Sequence, residues 1–232
     1  MSAQPLKTHL FLFDIDGTLI ASGGAGEFSM RQAVKDMFGV EDGLKGVEIA
    51  GRTDHLITQN VFKKYGAPWT AERAAEFLDL YLGHLAVELP RKNGRLLPGI
   101  VELLDALKAR PQVSLALLTG NLRQGARIKL SHYGVWNYFE FGAYADDNAD
   151  RNRLGPFAQA RARKAYGVEF PPELTFVVGD TPHDIECGRA IGAKTVAVAT
   201  GGCSRELLAG HHPDFLFDDL GEVNAVLAAL GV

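Results

Sequence analysis

Cysteine is scarce in this 232-residue chain. Cys187 and Cys203 are the only two, and no ligand-spaced partners accompany them, which argues against a zinc site built on them. Charge of one sign is not in excess either. Lys and Arg number 24 against 28 Asp and Glu, giving a net charge of −4 and a pI near 6.0. That balance leaves no electrostatic footprint for nucleic acid or for an anionic membrane surface. No run approaches the roughly 20 apolar residues of a membrane span. The stretch Met1 to His9 lacks a basic region followed by an apolar core, so the expectation is a cytoplasmic protein with reduced thiols and no secretory leader. Internal repeats and low-complexity segments are missing. With 47% hydrophobic and 22% charged residues, the chain suffices for one sizeable core plus a smaller second unit.

Short, β-rich apolar runs occur at Leu10–Phe13, Val113–Leu118, Phe139–Phe141, Leu174–Val178, Thr195–Ala199 and Phe215–Phe217. Helical spacing separates them at Ile100–Ala109, Leu122–Tyr133, Leu154–Tyr166, Asp184–Ile191 and Glu222–Leu230. Gly134, Gly167 and Gly192 stand where helices should end. Alternating strand and helix with continuously apolar strands predicts an α/β fold, a Rossmann-like parallel sheet with helices on both faces. One connection breaks the rhythm. Between Leu19 and about Leu97 three helix-like segments (Gly26–Phe38, His55–Tyr65 and Ala71–Leu85) follow one another without a buried strand. A crossover needs only a dozen or so residues. Residues 21–94 are therefore expected to form a small helical cap inserted into a core made of 1–20 and 95–232, placed where a lid could exclude water. Ser22-Gly-Gly-Ala-Gly26 reads as its hinge; it has neither the lysine of a P-loop nor dinucleotide-loop spacing. Trp69 and Trp136 read as packing residues, and His211 and His212 as loop residues.

Three of the runs end in chemistry. Leu10 to Leu19 passes from a buried strand into Asp14-Ile-Asp16-Gly-Thr. Two carboxylates two residues apart at a buried strand end are costly unless a cation or a reaction employs them, and ligands bind at the carboxyl ends of parallel strands. Asp14 can attack phosphorus to form a covalent aspartyl-phosphate. Asp16 is placed to protonate the leaving oxygen and then to deprotonate water; the competing reading is a turn supplied by Asp16-Gly17. The run ending at Leu118 continues as Thr119-Gly120-Asn121, where the hydroxyl and the next two N–H groups could hold phosphate oxygens, or equally cap a helix. The run ending at Val178 continues as Gly-Asp180-Thr-Pro-His-Asp184. Asp180 suits Mg²⁺ as a hard oxygen ligand, and Asp184 could bind a metal water, orient a cation or serve a helix dipole. Bringing a carboxylate up to a phosphate also needs a fixed positive charge, and Arg151 and Arg153 precede the Asp180 run. In the insertion, Arg52 could hold an anionic substrate group, while Thr53 or Asp54 caps the following helix.

With these residues the chain resembles the haloacid dehalogenase-like (HAD) hydrolase superfamily, in its phosphatase branch with a C1-type helical cap, similar to phosphoglycolate phosphatases. Phe13-Asp-Ile-Asp-Gly-Thr-Leu19 fits the first motif, Leu118-Thr-Gly-Asn121 the second and Val178-Gly-Asp-Thr-Pro-His-Asp184 the fourth, in order and across nearly the whole chain. The resemblance implies Asp14 as nucleophile, Asp16 as acid/base and Thr119 as phosphate ligand. It implies Mg²⁺ held by Asp14, Asp180 and the backbone carbonyl of Asp16, with Asp184 in support. The third motif departs from the family. A lysine is usual there, whereas this chain offers Arg151 and Arg153, and Lys164 lies too far along the helix. The continuation Gly155-Pro-Phe157 favours Arg151. Arginine keeps the charge with a different geometry.

The implied function is a Mg²⁺-dependent phosphomonoester hydrolase of small phosphorylated metabolites. A sugar phosphomutase and a non-catalytic metal- or phosphate-binding regulator of the same fold are the alternatives. An aspartate at position 16 fits phosphatases and phosphomutases, since the superfamily's dehalogenases lack it. Substrate, oligomeric state and the role of individual cap residues stay open at this level.

Overall fold

The structure is a computed structural model that describes residues 6–232. Met1 to Pro5, part of the stretch read above for a leader, lie outside the described residues. The elements run in the order β1 (His9–Phe13), β2 (Ile20–Ala21), α1 (Ala25–Phe38), α2 (Asp54–Lys64), α3 (Ala71–Glu88), β3 (Arg95–Leu96), α4 (Ile100–Lys108) and β4 (Val113–Leu118). They continue as α5 (Arg123–His132), β5 (Phe141–Ala143), α6 (Leu154–Tyr166), β6 (Thr175–Gly179), α7 (Pro182–Ala190), β7 (Lys194–Val198), α8 (Arg205–Gly210), β8 (Phe215–Phe217) and α9 (Val223–Leu230).

Six strands form one parallel sheet in the order β5-β4-β1-β6-β7-β8, so β1 lies at its centre, between β4 and β6. Its alternation sorts the core. Phe11 and Phe13 face one layer with α4, α5 and α9, while Leu10 and Leu12 face the other with α6 and α7. These four β1 side chains are at most 1% exposed, and each fully buried Leu or Phe contributes ~1.5–3 kcal/mol of transfer free energy. This is the α/β sheet with helices on both faces that the apolar runs predict.

Several boundaries differ. The strand expected at Phe139–Phe141 lies at Phe141–Ala143, because Trp136–Tyr138 form a 3₁₀ turn before it. The helix expected from Asp184 begins two residues earlier at Pro182, whose fixed φ suits a first helical position. The antiparallel pair β2–β3 and the short α8 have too few residues to register as periodicity.

All three helices of the long connection lie between β2 and β3, which pair Ile20 with Leu96. They share a hydrophobic cluster of their own, including Met30, Val34, Phe62, Phe77 and Tyr81, closed onto the core by Leu122 and Ala145. Trp69 packs edge-on to Phe62 and Trp136 packs against the core, the structural roles read from the sequence. Gly23 and Gly24 turn the chain into α1 at φ 62° and 80°, a left-handed path that favours glycine.

Candidate active site

The carboxyl ends of β1, β4 and β6 lie side by side, so Asp14, Thr119 and Asp180 each follow the last residue of a neighbouring strand. The backbone continues the pairing one step further, with Asp14 N donating to Val178 O at 2.9 Å. All three side chains are buried. Carboxylate oxygens of Asp14, Asp180 and Asp184 lie within 4.8 Å of one another, among the most expensive arrangements a protein interior can hold without a counter-charge.

Arg151 supplies part of that charge. Its Nη2 sits 3.0 Å from Asp14 Oδ1 and bonds Asp184 Oδ1, and its Nη1 donates to Gly51 O at 3.1 Å. The guanidinium is buried, whereas Arg153 is mostly exposed and pairs loosely with Asp150. Lys164 is exposed. The cation facing Asp14 is thus Arg151. Asp184 is engaged twice over, since its Oδ2 also accepts from the backbone N–H and hydroxyl of Thr181 in a capping box at the start of α7. One carboxylate serves helix and guanidinium together.

One guanidinium does not balance three carboxylates. Burial pushes the Asp14 carboxyl up, and the charges of Asp184 and Asp16 push the same way against Arg151. Burial likewise raises Asp180, reinforced by Asp184 and Asp14. Among the described residues Asp14 Oδ1 is buried without a hydrogen bond, the 3.0 Å approach of Arg151 being an ion-pair contact. Gly17 and Gly201 enclose Asp180, and a Cβ on either would collide with its carboxylate. An orphaned buried oxygen, clustered hard oxygen donors and a cradle without side chains fit a divalent cation such as Mg²⁺.

The β4 side of Asp14 has a different character. Asp16 accepts at Oδ2 from Asn121 Nδ2 at 2.9 Å and from Lys129 Nζ at 2.5 Å, and Lys129 also donates to Asn121 Oδ1 at 2.6 Å. Burial alone would raise Asp16, but Lys129 and the bonds it and Asn121 make hold its carboxyl below the usual range. Asn121 therefore departs from expectation. Its side chain serves Asp16, and its backbone N–H is directed at the Thr119 hydroxyl, 3.3 Å away, instead of converging with that of Gly120 on a ligand. Thr119 itself stands beside Asp14 and lowers its pKa by hydrogen bonding.

Thr53 caps α2 as expected, but the Arg52 and Asp54 side chains sit differently from expectation. The loop before α2 lies against the second strand end. Asp54 N donates to Gly120 O at 2.8 Å, and a Cβ on Gly120 would collide with Arg52 O. Thr53 caps α2, accepting from Leu56 N, while the Asp54 side chain crosses to the core and accepts from Leu122 N at 2.8 Å. The Arg52 guanidinium pairs with Glu48 at 2.8 Å. Its charge is already partnered, although the residue borders the cavity.

That cavity, about 430 Å³, has Asp14, Asp16, Asp180, Asn121 and Arg151 in its wall on the sheet side. The helical insertion lines the opposite side with Glu27, Met30, Ile57 and Tyr81. Asp14, Asp16, Arg52, Gly120, Asn121, Arg151 and Asp180 all border it, whereas Thr119 and Asp184 lie behind the surface and contact residues that do.

Sequence reasoning missed Lys129 and the crossing made by Asp54. A signal for Lys129 existed. It shares a helix face with Gly125, Ala126 and Leu130, all buried, so the periodicity turns a lysine inward. A buried ammonium requires partners. Asp54 gave none, because its acceptor role depends on where the insertion docks.

Among the described residues no helix is long and apolar enough to cross a membrane. Comparison with known proteins now adds a name to this geometry. A curated relative, "Probable phosphatase IndB" of Dickeya dadantii, is 26% identical over 95% of this chain and 94% of its own. "Glycerol-1-phosphate phosphohydrolase 2" of Saccharomyces cerevisiae is 30% identical over 84% of this chain and 76% of its own. Among solved structures, one described as a predicted phosphoglycolate phosphatase from Haemophilus somnus superposes with a TM-score of 0.71 over 94% of this chain and 97% of that one, at 24% identity. That likeness carries the fold, and the relatives carry the phosphatase branch. The model of the haloacid dehalogenase-like hydrolases matches residues 11–198, and the chain is an enzyme belonging to that family.

Proposed function

We propose that the chain is a cytoplasmic, Mg²⁺-dependent phosphomonoester hydrolase acting on small phosphorylated metabolites, with Asp14 as nucleophile and residues 21–94 as its cap. One observation carries the reading: Asp14, Asp180 and Asp184 share a pocket of oxygens with Arg151 on one wall of a cavity closed by helices. A carboxylate oxygen of Asp14 attacks phosphorus, the bond from phosphorus to the ester oxygen breaks, and Asp16 gives that oxygen a proton. Asp16 then takes a proton from water, whose oxygen attacks phosphorus and releases Asp14 and inorganic phosphate. Arg151 holds the phosphoryl oxygens by charge, and Thr119, behind the cavity wall, supports Asp14 by hydrogen bonding. Gly120 brings its backbone up to the phosphate, which no bulkier residue could do beneath Arg52 O. Asp14, Asp180 and the carbonyl of Asp16 would hold Mg²⁺, which when bound neutralises charge between nucleophile and phosphate. Asp184 acts through Arg151.

The test is a panel of phosphorylated metabolites together with p-nitrophenyl phosphate, assayed for released phosphate with and without Mg²⁺. Release is expected only with the metal, and Asp14→Asn should remove at least ~10⁴-fold of kcat, the scale lost with a covalent nucleophile. Asp14→Asn at parental activity sinks the mechanism. Isomerisation of a hexose phosphate without net phosphate release would identify a mutase instead.

A further inference from the structure

We infer that Lys129 is a positioning residue for the proton-transfer step, fixing the carboxylate of Asp16 so that one of its oxygens is presented to the ester. The inference rests on the phosphatase reading above and adds a residue to it. Lys129 is 3% exposed and projects from α5, the helix that follows the second strand end. Its ammonium lies 2.5 Å from Asp16 Oδ2 and 2.6 Å from Asn121 Oδ1, and Asn121 Nδ2 lies 2.9 Å from the same Asp16 oxygen. The three side chains form a closed ring of hydrogen bonds. Both of its bonds to Asp16 end on Oδ2, and neither ends on Oδ1. A carboxylate gripped twice by one oxygen has its plane fixed, which leaves Oδ1 held in one orientation on a residue that borders the cavity.

The arrangement is built rather than incidental. Seating a buried lysine costs several kcal/mol unless its donors are used, and Lys129 spends two of its three on the acid/base residue and on that residue's other partner. The hydrogen bond from Asn121 Nδ2 to Thr119 Oγ1, 2.9 Å, ties the ring to the phosphate side of the site. Asp54 and Tyr133 also stand near enough to feel the ammonium. Among the described residues only Asp16 and Asn121 bond it.

The leaving group discriminates this role from structural support. An alkoxide must be protonated as it departs, whereas p-nitrophenolate leaves readily without a proton. Loss of an aligned general acid therefore costs roughly 10²-fold or more on an alkyl ester and little on the aryl one. Lys129→Met and Lys129→Gln should lower kcat/KM for the best alkyl phosphate in the panel by ~10²-fold, and for p-nitrophenyl phosphate by less than about five-fold. Melting temperatures are measured alongside. Equal losses on the two esters, no loss on either, or failure of both variants to fold would each overturn the role given to Lys129. A parent chain that releases phosphate from neither ester would overturn the phosphatase reading, and this inference with it.

Discussion

The two flanks of β1 solve opposite electrostatic problems. Toward β6, three buried carboxylates face a single guanidinium, and their oxygens crowd within 4.8 Å. Toward β4, one carboxylate meets one ammonium and one amide, with the bonds closed in a ring. The first flank is left short of positive charge, and the second is balanced. The pKa directions follow: Asp14 and Asp180 are pushed up by burial and by each other, whereas Asp16 is held down by Lys129. Two aspartates separated by one residue thus acquire different chemistry from their neighbours alone. A deficit of charge recruits a cation and an anionic substrate. A carboxyl held low suits the half of the cycle in which Asp16 takes a proton from water.

The largest break in that contrast should come from Asp180→Asn. Removing one charge relieves the crowded flank, so the metal-free variant should melt higher than the metal-free parent. It should also lose the stabilisation that Mg²⁺ confers, ~2.7 kcal/mol when the ion is at a hundred times its dissociation constant. Thermal melts with and without Mg²⁺ decide it. A metal-free variant melting below the parent would mean that the carboxylates are not in conflict.

Arg151→Lys sharpens the same flank. Lysine restores the charge but has a single nitrogen, whereas the guanidinium spreads its three contacts, to Asp14, Asp184 and Gly51 O, over two. We expect kcat/KM to fall ~10- to 100-fold, less than the ~10²–10³-fold that follows complete loss of a charge-stabilising donor, which Arg151→Met should show. Steady-state kinetics on p-nitrophenyl phosphate separates the two. A lysine variant no better than methionine would show that the contact with Gly51, and not the charge, is what matters.

Much of this was legible before any coordinate. Apolar runs ending in Asp14, Thr119 and Asp180 named three strand ends, and a parallel sheet must gather such ends on one edge. The continuation Gly155-Pro-Phe157 favours Arg151 over Arg153, and Arg151 is the buried one of the two. The ring around Asp16 was not legible, because Asn121 and Lys129 reach it across 105 and 113 residues of chain. Local spacing reports which face a side chain takes, and only packing reports what waits there. Arg52 illustrates the converse: its position beside the cavity was anticipated, but a partner four residues back, Glu48, occupies its charge.

The remaining prediction concerns stability alone, on the balanced flank, and asks which carboxylate Lys129 serves. Asp54 is buried at the seam between insertion and core, where burial pushes its carboxyl up to about 7 while Lys129 pulls it down. Raised above its unfolded value, it penalises the folded state progressively as pH climbs from about 4 to about 7, and the full penalty stands above that. Asp54→Asn keeps an oxygen to accept from Leu122 N but carries no charge. Near pH 4 parent and variant should therefore unfold at similar denaturant concentrations. By pH 8 the variant should be the more stable, by on the order of 2–4 kcal/mol at ~1.4 kcal/mol per unit of displacement. If the variant is instead the weaker at pH 8, the ammonium is shared with Asp54, and the balance assigned to Asp16 fails with it.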